Sequence, residues 1–323
     1  MSRGLTQRVN AFSKVRVLVV GDLVADHYVY GQTERVSREA PVLIVRHERE
    51  EVKLGGAANA AANARSLGAQ VTALGALGKD PIAQTVRALF RSSDIALAAT
   101  ADAKISTETK TRILAGGQST TRQQMLRIDR GSQGMLPLRV RRALARSLQR
   151  ALAACDVAVV SDYGGGVLCE ETRAVLRGWS GLVCADSRYA LAGLAGATVC
   201  KPNEPELAAL TGLPVSTDAQ LVAAAALAIQ RLDCQLLLVT RGRRGMAVFE
   251  RAGRAILLPV HGVAEAVDVT GAGDTVIASF ALALAAGSSA EQAAQLANIA
   301  AGLVVQKPGT ATVTQQELLA ELR

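Results

Sequence analysis

The chain has 323 residues, is 50% hydrophobic and 3% aromatic, and carries 36 Lys and Arg against 28 Asp and Glu, a formal net charge of +8. The apolar share is ample for a buried core and excludes an intrinsically disordered chain. So few aromatics leave little for stacking on bases, which argues against a nucleic-acid partner despite the charge; a small anionic substrate would use surplus arginine equally well.

In chain order, the N-terminal run VRVLVV ends at Gly21-Asp22 before any cleavage pattern, so no signal peptide is expected. No stretch reaches the ~18 apolar residues of a membrane span, and no membrane partner is expected. Val15 to Val20 is predicted as a buried strand. Asp26 to Glu51 alternates without a helical period and is expected to form strands of a small exposed sheet. GGAANAAANARSLGA (55–69) is a helix opened by two glycines, followed by the strand VTALGALG (71–78). Thr107 to Asp129 alternates again and belongs with the outlying sheet. RVRRALARSLQR (139–150) spaces its arginines along an apolar helix, as a solvated face would. Strands VAVVSD (157–162), GLVCAD (181–186), TVCKPN (198–203), QLLLVTRG (235–242) and AILLPV (255–260) then alternate with helices. Two helix-length segments, 274–286 and 290–305, close the chain. Five scattered cysteines without CxxC fit reduced thiols in the cytoplasm, and three histidines form no metal-ligand or triad spacing.

Short apolar strands separated by helices imply a mostly parallel sheet covered on both faces, with any ligand beyond the carboxyl ends of its strands. Those ends carry Gly21-Asp22, Ser161-Asp162, Asp186, Lys201-Asn203 and Thr240-Arg241. Polar residues at so many strand ends mark that rim as the site.

VTGAGD (269–274) has two readings. Its glycines suit a plain turn, with Asp274 favoured in a first helical turn. Equally, a Gly-X-Gly loop opening a helix aims bare backbone N–H groups at an anion. A carboxylate beside a phosphate is repulsive unless it has a task, and accepting the proton of an attacking hydroxyl is one. Other glycine codes fail. GALGKD (75–80) is too short for a P-loop and has Asp80 where Ser or Thr is needed, and no GxGxxG follows the first strand.

DVTGAGD (268–274), GGAANAAANARSLG (55–68) and KPNEPEL (201–207) resemble the ribokinase-type (PfkB) carbohydrate kinases. GDLVADHYVYGQTERVSREAPV (21–42), RQQMLRID (122–129), SDYGGGVL (161–168) and KPGTATV (307–313) are similar to the branch of that family acting on D-glycero-β-D-manno-heptose 7-phosphate in lipopolysaccharide biosynthesis. The resemblance implies a ribokinase-like three-layer α/β/α fold: one kinase domain over 1–323, with a β-sheet lid from about 26–51 and 107–129. Some relatives carry a nucleotidyltransferase after the kinase; with the chain ending at Arg323, a stand-alone kinase is expected. The implied activity is ATP- and Mg²⁺-dependent phosphorylation of the C1 hydroxyl of heptose 7-phosphate. Another sugar or sugar-phosphate kinase is the alternative, and a basic nucleic-acid-binding or regulatory protein a remote one. A cytoplasmic homodimer is expected, since exposed lid strands invite pairing.

The same resemblance implies site residues. Asp274 is the base, and the amides of Gly271, Ala272 and Gly273 form the anion hole. Asn203 and Glu206 act on the Mg²⁺–phosphate side, through water. Thr240, Arg241 and Gly242 contact ATP phosphates, and Asn298, Ala301 and Gly302 lie by the adenine. Asp26, Gly55, Gly56 and Asn59 match sugar-hydroxyl positions, with Asp22 and Asp162 as weaker candidates. Arg38, Arg112, Arg122 and Arg127 in the lid segments supply cations for the substrate phosphate, and Arg188 stands where relatives can carry a lysine. The SDYGGG loop lacks a lysine that some relatives place after the tyrosine. Asp268, Thr270 and the KPGT loop (307–310) correspond to a monovalent-cation region, which leaves K⁺ open as a further cofactor.

Overall fold

The structure, a computed structural model, describes residues 2–117, 122–132, 134–262 and 266–322. Part of the second expected lid segment, 118–121, lies outside the described residues. The elements run α1 (Ser2–Asn10), β1 (Arg16–Gly21), β2 (Leu23–Val36), β3 (Leu43–Gly56), α2 (Ala57–Ser66), β4 (Gln70–Leu77), α3 (Pro81–Ser92), β5 (Ala96–Ala101), β6 (Thr109–Gly116), β7 (Gln123–Arg130) and α4 (Leu138–Leu152). They continue with β8 (Val157–Asp162), α5 (Glu170–Arg177), β9 (Leu182–Ser187), β10 (Val199–Cys200), α6 (Glu204–Thr211), α7 (Asp218–Leu232), β11 (Leu236–Thr240), β12 (Met246–Glu250), β13 (Ala255–Leu258), α8 (Ala272–Ala285), α9 (Ala290–Val304) and α10 (Gln315–Glu321).

Nine strands form one sheet in the order β13-β12-β11-β10-β9-β8-β1-β4-β5. It is parallel from β11 to β5, and β12 and β13 return antiparallel at one edge. β1 explains the layering. Its side chains alternate between faces, so Val17 and Val19 join one apolar cluster and Leu18 and Val20 the other. α2, α8 and α9 cover the first face, and α4 and α7 the second. α4 shows how the sequence chooses its side. Val140, Leu144, Leu148 and Leu152 recur every fourth residue and are buried, each worth about 1.5–3 kcal/mol, while most of its arginines face outward.

The second sheet has four strands in the order β3-β2-β6-β7, drawn from the two alternating segments. β2 pairs antiparallel with β3 and parallel with β6. β7 is exposed along its whole length. Tyr28 ties this sheet to the main body: its hydroxyl accepts from the Thr310 N–H at 3.0 Å. The architecture is the ribokinase-like three-layer fold with an outlying sheet. Among the described residues the five cysteines form no disulfide, and no helix is long and apolar enough to cross a membrane.

Candidate active site

The carboxyl ends of the parallel strands converge on the first turn of α8. Gly271 precedes that helix in the left-handed region, at φ 80°, and a Cβ there would lie 2.5 Å from Asn59 Nδ2. Both facts require glycine. The first amides of a helix have no partner inside it and carry the positive end of its dipole. The Ala272 N–H turns back to the Val269 carbonyl at 3.2 Å. Among the described residues no acceptor meets the N–H groups of Gly271, Gly273 and Asp274, so the donors available to an anion include Asp274 where Ala272 was expected.

Asp274 is 1% exposed. Asn59 Nδ2 donates to its Oδ2 at 3.0 Å, while the Tyr163 hydroxyl at 3.0 Å and Ser161 Oγ at 3.4 Å donate to its Oδ1. Burial, and then the nearby Asp186 carboxylate, push its pKa up to about 7; Asn59, Tyr163 and Lys201 hold it from rising further. A group poised there alternates between acceptor and donor of a proton near neutral pH. Only the ionised form can act as base, so kcat/KM should fall about tenfold per pH unit below a limb near pH 7. Tyr163→Phe removes a donor that favours the carboxylate, and its pH–rate profile should show the limb displaced to higher pH.

Lys201 and Asp186 form a buried ion pair, Nζ to Oδ2 2.8 Å, beside this turn. Register explains it: Cys200 pairs with Ala185 across β10 and β9, which brings the next residues of both strands together. A Cβ on Gly273 would lie 3.6 Å from Lys201 Nζ and 3.9 Å from Asp186 Oδ2, so the ammonium lies beside Gly273. Tyr163, Asp186 and Lys201 were quoted in motifs or at strand ends but given no role. Opposite charges at the carboxyl ends of two apolar strands were the available signal for the pair.

On the outlying-sheet side, Asp26 is buried and salt-bridged to Arg112. A Cβ on Gly55 would strike Asp26 Oδ2 at 2.3 Å, so that glycine makes room for the carboxylate; Gly56 sits at φ 56° before α2. Asn59, expected at sugar hydroxyls, turns its amide to Asp274. Asp22 is given over to the 163–167 loop: its oxygens accept from the N–H groups of Tyr163 at 2.7 Å, Gly165 at 3.0 Å and Val167 at 3.3 Å. Asp162 accepts from the Gly164 N–H and from Ser187 Oγ. Of the expected cations, Arg122 is salt-bridged to Glu48 and Arg127 holds Asp129 through two nitrogens, at 2.6 and 2.5 Å. Arg38 is exposed in the turn between β2 and β3, and exposed Arg188 lies over the Tyr189 ring.

Gly273 also lines a cleft of about 690 Å³, together with Asn203, Thr240, Arg241, Gly242, Asn298, Ala301 and Gly302 among others. Structure thus brings every expected nucleotide residue except Glu206 to one concavity. Glu206 serves with Asn203 as a capping box on α6: Asn203 Oδ1 accepts from the Glu206 N–H and Glu206 Oε2 from the Asn203 N–H, both at 2.8 Å. The Arg241 guanidinium is engaged by Glu204 at 2.9 Å and Asp218 at 2.6 Å, so its charge is already balanced. Asn298 donates to the Pro259 carbonyl, and Gly302 permits the close passage of His261. No three Asp, Glu, His or Cys side chains converge on a metal position among the described residues. The oxygens of Asn203 and Glu206 fit a hydrated hard cation shared with substrate phosphates, not a protein cage. Asp268 ties its loop to the KPGT loop, accepting from the N–H groups of Thr270 and Gly309 at 2.9 Å each. Burial raises its pKa, but these bonds outweigh that and keep the carboxyl below its ordinary value.

The profile of the pfkB family carbohydrate kinases matches residues 14–317. The bifunctional protein HldE of Gluconacetobacter diazotrophicus is 38% identical over 317 residues, covering 96% of this chain and 64% of the relative. That of Caulobacter vibrioides is 39% identical over 330 residues, covering 99% and 66%. The chain therefore spans only part of the length of these relatives. In fold it is similar to Arabidopsis thaliana ribokinase complexed with ribose and ATP, with TM-score 0.76, 22% identity and coverage of 96% and 99%. It is likewise similar to Escherichia coli phosphofructokinase-2 in complex with potassium, with TM-score 0.75, 18% identity and coverage of 95% and 99%. The chain belongs to the PfkB family of carbohydrate kinases, phosphotransferases that act on an alcohol group.

Proposed function

We propose that the chain transfers the γ-phosphoryl group of ATP to the C1 hydroxyl of D-glycero-D-manno-heptose 7-phosphate, giving heptose 1,7-bisphosphate and ADP on the route to ADP-heptose. The observation carrying the kinase chemistry is the place of Asp274, a buried carboxylate directly after Gly273 of the 690 Å³ cleft and hydrogen-bonded to Tyr163, whose ring meets Lys110 of the outlying sheet. The heptose assignment rests on the motifs at 21–42, 122–129, 161–168 and 307–313. ATP would lie in the cleft with its terminal phosphate before Gly273, and the sugar beneath the outlying sheet acting as a lid on a single kinase unit.

Asp274 takes the proton of the attacking hydroxyl as its oxygen closes on the γ-phosphorus. Asn59 and Tyr163 fix the direction of the carboxylate. The open amides at 271, 273 and 274 and the Lys201 ammonium face the charge building on the transferring oxygens, where preorganised donors are typically worth ~3–4 kcal/mol each. Mg²⁺, held through water by Asn203 and Glu206, would neutralise phosphate charge when bound. Closure of the lid would exclude water as a competing acceptor. Exposed β7 supports a homodimer paired through this sheet, and the free cysteines a cytoplasmic setting.

One observation favours a different sugar. Arg112, Arg122 and Arg127 are each balanced by a carboxylate, which suits an unphosphorylated substrate better than a phosphorylated one. ADP release with ATP and, in turn, heptose 7-phosphate, heptose, fructose 6-phosphate and ribose separates the readings. A kcat/KM highest for heptose 7-phosphate is expected; preference for an unphosphorylated sugar would overturn the assignment.

A further inference from the structure

The inner face of the outlying sheet is a charge lattice set by strand register. Across β3, β2, β6 and β7, one row reads Lys53, Asp26, Lys110, Asp129 and the next Glu51, Tyr28, Arg112, Arg127. Most of its cations have partners. Arg112 is bridged to Asp26, Arg127 to Asp129, and Lys53 lies 3.8 Å from Glu51. Lys110 differs. Among the described residues no carboxylate comes within ion-pair distance of its ammonium, and its near contact is the ring of Tyr163, 4.6 Å from Nζ to the centroid. Tyr163 in turn donates to Asp274 at 3.0 Å, so one phenol ring separates the ammonium from the base.

Resting on the sugar-phosphate reading above, we infer that Lys110 is the receptor for the phosphate already carried by the sugar. A substrate whose reacting hydroxyl meets Asp274 would extend its other end along Tyr163 toward the inner face of the lid. There a dianion finds the one cation on that face that, among the described residues, has no carboxylate within ion-pair distance. Burial presses the ammonium toward its neutral form, Asp26 opposes this, and Arg127 and Arg112 add to the pressure. A bound phosphate would relieve it. The position also answers for the 161–168 loop. A Cβ on Gly165 would lie 2.8 Å from Asp22 Oδ1, so a side chain there would disturb the carboxylate that organises the loop, and the cation comes from the lid instead.

The test compares heptose 7-phosphate with heptose in the wild type, Lys110→Met and Lys110→Arg, with the melting temperature and the KM for ATP followed alongside. Losing one charge-assisted contact is expected to lower the ratio of the two kcat/KM values about 10–100-fold in Lys110→Met, through KM for the phosphorylated sugar, with substantial recovery in Lys110→Arg. Should Lys110→Met not fold, Lys110→Gln gives the same ratio. An unchanged ratio in a folded variant, or equal losses on both sugars, would sink the role of Lys110 alone, the latter pointing to a hydroxyl contact. A wild type indifferent to the 7-phosphate would remove the sugar-phosphate reading and this inference with it.

Discussion

Asp274→Asn is expected to lower kcat by ~10²–10⁴ while leaving the affinities for sugar and nucleotide near those of the parent, because what it removes is proton acceptance in the transition state. Single-turnover rates together with equilibrium binding of both substrates measure this, and near-normal turnover would remove the base from the mechanism. The same variant makes a second, opposite demand on stability. The folded-state pKa of Asp274, about 7, lies above its ordinary 3.8, so the folded protein binds the extra proton between those values. The contribution of this group is therefore present at low pH and lost as pH rises through that window. Above pH 7 the parent holds a buried charge that Asn does not have. Asp274→Asn should accordingly be the more stable protein at pH 8, by on the order of 4 kcal/mol, with the advantage vanishing toward pH 4. Thermal unfolding at the two pH values checks the sign. Loss of activity with gain of stability would mark a residue kept for chemistry.

Lys201→Met should have the largest effect on the fold. It leaves Asp186 buried without its cation, and breaking a buried pair from one side typically costs about 3–5 kcal/mol. Burial already drives the Asp186 carboxyl upward in spite of Lys201. For Lys201, burial works against the charge, yet Asp186 holds its pKa above the ordinary lysine value. Denaturant midpoints for Lys201→Met, Asp186→Leu and the double variant form the cycle. The double variant should regain most of the stability, since two apolar side chains replace two charges. It should not regain phosphoryl transfer, because the ammonium beside Gly273 is gone. A single variant as stable as the parent would contradict the coupling.

Local pattern carried the fold wherever burial was strong. The β-branched runs of β1 and β8 lie in the middle of the sheet, and their burial on both faces is what made them continuous in sequence. Less visible were α1, where Leu5 and Val9 are the buried apolar pair, and β5, an alanine-rich edge strand with little β-branched character. β12 was also missed, because an antiparallel return interrupts the strand–helix rhythm. The glycine loop of the site was legible, since its need for bare backbone is local. What Asn59 and the arginines of the outlying sheet do was not. Asn59 meets Asp274 across 215 positions and Arg112 meets Asp26 across 86, so their partners depend on packing and register that no neighbouring residue announces. Arginine content suggested an anionic substrate; strand register balanced three of those arginines and left a lysine.

α8 is buried continuously from Asp274 to Ala283, whereas β7 at the far edge of the outlying sheet touches solvent throughout. Stiffness is thus divided between the two sides of the reaction. On the proposed mechanism the proton acceptor rides on a helix packed on all sides, and sugar preference would be set at a margin open to solvent and to new side chains. Such a division would let a lineage retarget its acceptor by altering the margin, while the machinery proposed to move the phosphoryl group stays as it was.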